Sequence, residues 1–435
     1  MCGFMGCVSL PLGRAPGSQS GGQGFDPPMV HHRRPSLLGR YFYYINIPIN
    51  RYLKQTFLIY LQYKKKEIMK RKLKKIMLIV LIIITAVIML TVLSVFVSRL
   101  INSDKNKIDT KTGIQESTYI DIDGMKQYVQ IRGKNTKNPV MIFIHGGPAS
   151  PMGFVSAYYQ RELESELTII NYDQRGCGRT YYANNCDANS NIDLLVDDLN
   201  KIVEYAKERF GKEKVIIAGH SWGTVIGSIY IQKHPENAIC YIGISQITNL
   251  YENKLNAART ALEKDAIKGT EDEQKLTNLI NKMSKVKEYN DMSLDDLGQL
   301  VSITSKYIAC EGEMSGLSQM ITGITSPDMN FDDMKWFMSQ MNTEKFFAQN
   351  KEIMDYAFFG FDIDTLSKTY NVPVFYLAGK GDYAVCQKDA EAYYESIEAP
   401  DKAFYWIENA GHSMFMDNPK VYCDTIKDIM SKNSD

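Results

Sequence analysis

The sequence lacks a net charge and any regular spacing of cysteines. Lysine plus arginine equals aspartate plus glutamate at 50 each, so the overall charge does not indicate nucleic acid as a partner. None of the eight cysteines forms a C-x-x-C pair. Because metal sites and compact disulfide frameworks show characteristic cysteine spacings, the sequence predicts neither of them.

Charge is absent altogether from residues 76–98, a run of 23 residues that is long enough to span a bilayer as a helix. A strongly basic segment, KKKEIMKRKLKK, precedes this run. The positive-inside rule therefore predicts a single-pass protein of the cell membrane, with a cytoplasmic N-terminus and an extracytoplasmic domain after residue 100. A cleaved signal peptide is the alternative, but the run is longer than a usual signal core and no A-x-A site follows it.

The N-terminal region divides into three predicted parts. Residues 1–68 begin with a stretch rich in glycine and proline, which favours disorder, or they precede a natural start at Met69. Residues 69–99 form the basic flank and the membrane anchor, and residues 100–116 form a polar stalk.

The rest of the chain alternates apolar strands with helical patterns. A hairpin is predicted around Asp123-Gly124, and six buried strands follow it. This alternation predicts an α/β fold, a mostly parallel sheet with helices on both faces. The predicted parts are the first part of the core, 117–246, an inserted helical cap, 247–370, and the second part of the core, 371–435.

The stretch AGHSWGT (218–224) places Ser221 between a predicted strand and a predicted helix. G-x-S-x-G alone is too short to be specific, but this context is typical of a nucleophile elbow, a sharp turn that exposes a serine. Serine needs a base within hydrogen-bond reach and an acid that orients the base. We therefore interpret Ser221 as a candidate nucleophile.

His412, in a loop after the last predicted strand, is the candidate base by elimination. His220 adjoins Ser221 on a sharp turn, so its side chain should diverge from the serine. The positions of His145 and His234 favour structural roles.

Asp382, three residues after the strand VPVFYLAG, is the candidate acid, and it completes the chain order serine, aspartate, histidine that the elbow motif predicts. Asp401 and Glu408 are alternative acids at strand edges. The negative charge that develops on an attacked carbonyl requires two backbone donors. We predict that the N–H groups of Trp222 and Gly147 supply them.

The motifs HGGPAS (145–150), DQRGCGRT (173–180), GHSWGT (219–224), GKGD (379–382) and GHS (411–413) together resemble the proline iminopeptidase branch of the α/β-hydrolases. The resemblance covers about residues 117–432. It implies an aminopeptidase that releases N-terminal residues from peptides, often proline, without a metal or cofactor. It also implies that Asp173 and Arg175 form a structural pair. The chain departs from the family pattern at Ala149 and at His220.

Relatives bind the free amine of the peptide through cap glutamates, and Glu311 and Glu313 are the candidates here, although a solvated acidic turn is the alternative interpretation. Trp336 lies in a methionine-rich cap segment that forms either a substrate pocket or ordinary packing. A peptide or another small acyl compound is the predicted substrate. An esterase with the same machinery, and a catalytically silent binding module, remain alternative functions.

Overall fold

The computed structural model describes residues 51–432, of which residues 51–94 belong to one unit and residues 95–432 to another. The first helix, α1 (Arg51–Lys105), contains the whole uncharged run and is long and apolar enough to cross a membrane. Residues 51–68 of the predicted N-terminal extension are helical, because this segment has no glycine or proline and is rich in helix-forming residues. The rest of the predicted N-terminal extension, 1–50, lies outside the described residues.

Eight strands form one sheet in the order β1-β2-β4-β3-β5-β6-β7-β8. Pairing is antiparallel from β1 through β2 to β4 and parallel across the rest of the sheet. The predicted hairpin is confirmed, with Asp123 and Gly124 at φ 53° and 83° between paired Ile122 and Met125. The strands are β1 (Ile114–Ile122), β2 (Met125–Gly133), β3 (Val140–Ile144), β4 (Thr168–Tyr172), β5 (Val215–His220), β6 (Ala238–Ile244), β7 (Val374–Gly379) and β8 (Lys402–Ile407).

Helices cover both faces of the sheet. The central strands β3 and β5 are buried along their whole length, and their alternate side chains enter two separate apolar clusters. The first core helices are α2 (Ser156–Gln160), α3 (Gly178–Ala183), α4 (Ile192–Phe210) and α5 (Trp222–Lys233). The longest of them, α4, is capped by the Asn191 side chain and ends at Gly211 in the left-handed conformation, φ 60°.

The insertion between β6 and β7 is helical, as predicted. Over residues 247–370, all of which the structure describes, no strand of the sheet is present. The cap helices are α6 (Leu250–Leu262), α7 (Glu271–Met283), α8 (Leu294–Ile308), α9 (Gly316–Thr325), α10 (Phe331–Gln340), α11 (Thr343–Gln349) and α12 (Lys351–Asp355). The core then resumes, with α13 (Gln387–Ser396), α14 (Met414–Asp417) and α15 (Pro419–Lys432).

The long parallel sheet determines where a site can form. In such sheets the loops at the carboxyl ends of the strands meet at one edge, where ligands bind. The loops that follow β3, β5, β7 and β8 contain the HGGPAS, GHSWGT, GKGD and GHS motifs respectively. The fold therefore brings four separate sequence motifs to the same edge.

Candidate active site

Ser221 lies in the turn between β5 and α5, with φ 51° and ψ −119°. A residue other than glycine adopts a positive φ only at a cost, which neighbouring contacts must offset. The two glycines of the motif permit the turn. A Cβ on Gly219 would lie 2.4 Å from the Gly223 carbonyl oxygen, and one on Gly223 would lie 2.1 Å from that of Ile144. Both positions exclude a side chain, which explains the spacing G-x-S-x-G.

The three side chains predicted for catalysis lie in one hydrogen-bonded row. His412 Nε2 is 2.9 Å from Ser221 Oγ, and His412 Nδ1 is 2.9 Å from Asp382 Oδ2. All three residues are buried, at 5–6% exposure. Such a row can transfer the serine proton to the imidazole while the carboxylate orients the ring.

Both oxygens of the Asp382 carboxylate accept hydrogen bonds. Its Oδ1 accepts hydrogen bonds from the backbone N–H groups of Ala384 and Val385, at 2.9 and 3.0 Å. Its Oδ2 accepts one from the Gln387 amide, at 2.9 Å, in addition to the contact with His412. These hydrogen bonds fix the orientation of the carboxylate, with Oδ2 toward His412.

Two side chains from other loops hold the backbone of His412. Ser245 Oγ donates to the His412 carbonyl oxygen at 2.9 Å, and His220 Nε2 lies 3.0 Å from the same oxygen. Burial and the adjacent His412 lower the pKa of His220 well below its usual value, so the ring is neutral and donates its Nε2 proton. The N–H of Gly411 is held by Asp417 at 2.8 Å. His220 therefore diverges from Ser221, as expected, and supports the histidine loop instead.

The HGGPAS loop lies against the nucleophile turn. A Cβ on Gly146 would lie 3.1 Å from Ser221 Cβ, so the absence of a side chain allows the two backbones to approach. Gly147, the predicted donor, follows with φ 129°. The other predicted donor, the N–H of Trp222, belongs to the first residue of α5, where a helix offers no internal acceptor.

Gln174, for which the sequence predicts no role, connects the HGGPAS loop with the nucleophile turn. Its side-chain amide donates to the His145 carbonyl oxygen at 2.8 Å, and its amide oxygen accepts from Trp222 Nε1 at 3.1 Å. Its backbone N–H donates to His145 Nε2 at 3.1 Å. Burial lowers the pKa of His145 to about 4, so the neutral ring can accept this bond at pH 7. The sequence feature that could have indicated a role for Gln174 is its position in the motif DQRGCGRT, directly after β4.

The predicted pairing of Asp173 with Arg175 is wrong. Arg175 forms a bidentate ion pair with Asp198 of α4, at 2.6 and 2.9 Å. Asp173 instead accepts the backbone N–H of Arg179 at 2.7 Å, and burial raises its pKa to about 7. The reason is topological, because the tight turn after β4 directs the two neighbouring side chains to different elements.

A buried ion pair joins the core to the cap. Arg179 of α3 meets Asp333 of α10 through two contacts, 3.0 and 2.6 Å, and also donates to the Tyr128 hydroxyl at 2.7 Å. Both members of the pair are less than 10% exposed. Removing one partner of such a pair leaves a buried, uncompensated charge, so the contact strongly constrains the position of α10.

Trp336, the predicted pocket residue of α10, lies in the interface between cap and core. It is buried, its ring packs against Tyr181 at 5.0 Å between ring centres, and its Nε1 donates to the Ala149 carbonyl oxygen at 2.9 Å. Trp336 thus supports the loop that contains Gly147. The methionines of the same segment point the other way and are exposed, namely Met334, Met338 and Met341.

The two candidate glutamates occupy different environments. Glu311 is exposed in the turn after α8, whereas Glu313 is half-buried, with its carboxyl carbon 3.0 Å from the place a Cβ on Gly411 would take. Burial and the nearby Asp417 carboxylate raise the pKa of Glu313 to about 7. The structure therefore places the Glu313 carboxyl group beside the loop that carries His412, whereas Glu311 is exposed to solvent.

Residues 51–432 contain no group of three or more histidine, cysteine, aspartate or glutamate side chains placed to hold a metal ion. The six cysteines in this range form no disulfide.

Comparison with known proteins agrees with this geometry. The sequence model of the alpha/beta hydrolase fold matches residues 139–419. A probable aminopeptidase of Bacillus subtilis, YbaC, is 27% identical over 322 residues, which are 73% of this chain and 97% of the relative. A proline iminopeptidase of Heyndrickxia coagulans is 23% identical, over 72% of this chain and 98% of the relative.

Among solved structures, a proline iminopeptidase of Mycobacterium smegmatis superposes with a TM-score of 0.52 at 17% identity, over 73% of this chain and 98% of that one. The family match covers more than half of the chain. The chain therefore belongs to the alpha/beta hydrolase fold family and, within it, is similar to the proline iminopeptidases.

Proposed function

We propose that this protein is a membrane-anchored serine aminopeptidase that removes N-terminal residues from peptides through an acyl-enzyme. The observation that carries the proposal is the row Ser221–His412–Asp382, with both hydrogen bonds at 2.9 Å. A binding module has no need of such a row, which argues against a catalytically silent protein. The similarity to a probable aminopeptidase and to proline iminopeptidases favours peptides as the substrate class.

The proposed mechanism follows from the contacts. Ser221 Oγ attacks the scissile carbonyl carbon while His412 Nε2 takes the hydroxyl proton, and the imidazolium that forms is stabilised by Asp382. The N–H groups of Trp222 and Gly147 stabilise the oxyanion. His412 returns the proton to the leaving amine, and a water molecule, activated by the same histidine, then hydrolyses the ester between Ser221 and the acyl group.

The membrane assignment rests on α1. An uncharged run of 23 residues, preceded by a strongly basic segment, favours insertion with the N-terminus in the cytoplasm. The hydrolase domain then lies outside the cytoplasm, at the surface of the cell membrane.

The proposal predicts a preference for substrates with a free amine. For the full chain in detergent or liposomes, we expect kcat/KM to be at least about tenfold higher for aminoacyl anilides, including the prolyl compound, than for their N-acetylated forms. The reason is that an ammonium group gains a charge-assisted hydrogen bond with a carboxylate near the triad. Turnover of short-chain esters without any turnover of amides would reassign the protein as a carboxylic-ester hydrolase.

Glu313 is the proposed partner of that amine. Its half-buried position beside Gly411 places a carboxyl group next to the catalytic loops. Glu313→Gln should raise KM for aminoacyl anilides roughly 10- to 100-fold at pH 8, with little change in kcat, because a charged hydrogen bond is worth about 1.5–3 kcal/mol. Steady-state kinetics of the variant and the wild type measure this difference.

The pH dependence follows from the raised pKa. Only the ionised carboxylate binds an ammonium group, so KM of the wild type should fall as the pH rises through about 7. Glu313→Gln should lose this dependence. Glu311→Gln is the matched control, because Glu311 is exposed and only two residues away. Equal effects of the two substitutions would contradict the assignment of Glu313.

A further inference from the structure

Two cap helices present an apolar surface to solvent. This outer cap face consists of seven large apolar side chains, each 38–67% exposed. The spacing within each helix places them on one side of α9 and on one side of α10. The residues are Leu317, Met320 and Ile321 on α9, Phe331, Met334 and Met338 on α10, and Met341 directly after α10.

The outer cap face is unusual for the surface of this domain. Among the described residues after 102, only three other large apolar side chains are similarly exposed, namely Tyr119, Tyr158 and Val421. Helix α9 contains no charged residue at all. A helix on a protein surface normally places charged and polar residues toward water, so two consecutive helices that each expose an apolar side indicate an interaction surface.

The loop between α9 and α10 is attached to the C-terminal end of α1. The Arg99 guanidinium donates to the carbonyl oxygens of Pro327, at 3.4 Å, and Met329, and the Asn102 amide donates to that of Thr325 at 3.0 Å. Arg99 is the first charged residue after the uncharged run 76–98. The segment that joins the two helices of the outer cap face is therefore bonded to α1 within four residues of the end of that run.

The end of α1 is also fixed to the core. The carbonyl oxygen of Asn106 accepts a hydrogen bond of 2.6 Å from Arg132, a buried residue of β2. Arg132 is held in turn by the buried carboxylate of Glu164, at 2.5 Å. The segment predicted to be a stalk is therefore bonded to both core and cap, so the cap stays close to the end of the apolar run.

We propose that the outer cap face rests on the bilayer into which α1 inserts, with its apolar side chains among the lipid headgroups and the upper acyl chains. This inference rests on the proposed membrane anchoring. Continuity with α1 selects the bilayer over a second protein, since Arg99 and Thr325–Met329 lie together where the chain leaves the membrane. Interfacial helices bind membranes through such a face, and methionine side chains adapt to fluid surroundings.

Helix α10 would connect the bilayer contact to the active site. The side of α10 opposite to the outer cap face contacts the HGGPAS loop, through Trp336 to Ala149 and through Gln340 Oε1, which accepts from Ser150 Oγ at 3.2 Å. One helix thus separates the proposed membrane surface from the loop with the predicted oxyanion donor.

Photo-crosslinking of the full chain in phosphatidylcholine liposomes tests the inference. Benzoylphenylalanine replaces Ile321 or Met338 in the outer cap face, and Val421 on α15 as the matched control, since Val421 is 38% exposed but belongs to another surface. After flotation and irradiation, mass spectrometry measures lipid adducts. We expect adduct yields at 321 and 338 at least about tenfold above that at 421, with hydrolase activity retained in all three variants.

The outcomes separate this inference from the proposed function. If the variants float with the liposomes but adduct yields at 321 and 338 do not exceed the yield at 421, the outer cap face does not touch the bilayer, while the membrane anchoring stands. Crosslinked dimers at these positions in place of lipid adducts would assign the face to a second copy and overturn the inference. A full chain that does not float would refute the anchoring, and this inference with it.

Discussion

Replacing Ser221 by alanine should lower kcat by at least about 10⁴-fold, while KM changes little and the protein remains folded. The hydroxyl is the atom that would form the acyl-enzyme, and in serine proteases the loss of the nucleophile costs about 10⁶-fold in kcat. The small side chain of alanine fits the turn, where Ser221 has φ 51°. Hydrolysis of aminoacyl anilides measures the expected loss of kcat. A serine-directed phosphonate, which labels the Ser221 hydroxyl of the wild type, should no longer label the variant.

Ser228→Ala is the matched control. Ser228, like Ser221, is a buried serine, but it lies within α5 and its hydroxyl contacts Tyr241 and Gln246 instead of a histidine. We expect its activity to stay within about threefold of the wild type. A Ser221→Ala protein with wild-type activity would refute the serine mechanism, whatever the behaviour of the control.

Replacing Asp382 by asparagine should lower kcat about 10⁴-fold, the size of the effect for the same change in a serine protease. The hydrogen bonds predict the orientation of the new amide. The backbone N–H groups of Ala384 and Val385 require an oxygen at the Oδ1 position, so the amide nitrogen must face His412 Nδ1. His412 then carries its proton on Nε2 and cannot accept the proton of Ser221.

Kinetics of Asp382→Asn should therefore show a loss in kcat, with the fold retained in circular dichroism. Glu408→Gln and Asp401→Asn are the controls, because these two residues flank β8 and are the alternative acids predicted from the sequence. Glu408 forms an exposed ion pair with Lys380 at 2.6 Å, and its substitution should leave kcat within about twofold. A large loss at 408 or 401 combined with an active Asp382→Asn protein would reassign the acid.

The strands and the nucleophile turn were predictable because local sequence encodes them. Continuous runs of apolar, β-branched residues predicted β3 and β5 almost to the residue, and Asp123-Gly124 predicted the hairpin. A Cβ at Gly219 or Gly223 would lie less than 2.5 Å from a backbone oxygen, so the glycines in the sequence indicate that two backbone segments approach closely there. The nucleophile-elbow motif also predicted the order in which Ser221, Asp382 and His412 follow one another along the chain.

Partners that are distant in sequence were not predictable in the same way. Arg179 meets Asp333, which is 154 positions later in the chain, and His220 meets the carbonyl of His412, 192 positions later. No local pattern distinguishes Arg175 from Arg179, since both are arginines in one motif. Their different partners depend on how α4 and α10 pack against the loop after β4.

By itself, then, the sequence determined the sheet, the elbow, the inserted cap and the residues that carry the proposed chemistry. These features depend on short-range sterics and on hydrophobic periodicity, both of which are properties of neighbouring residues. The tertiary structure alone decided that Trp336 supports the HGGPAS loop, that the methionines around it face outward, and that Glu313 is half-buried beside Gly411 whereas Glu311 is exposed. The physical reason is that the face of a cap helix that becomes buried depends on what it packs against, and α10 meets the core through Asp333 and Trp336 on one side only.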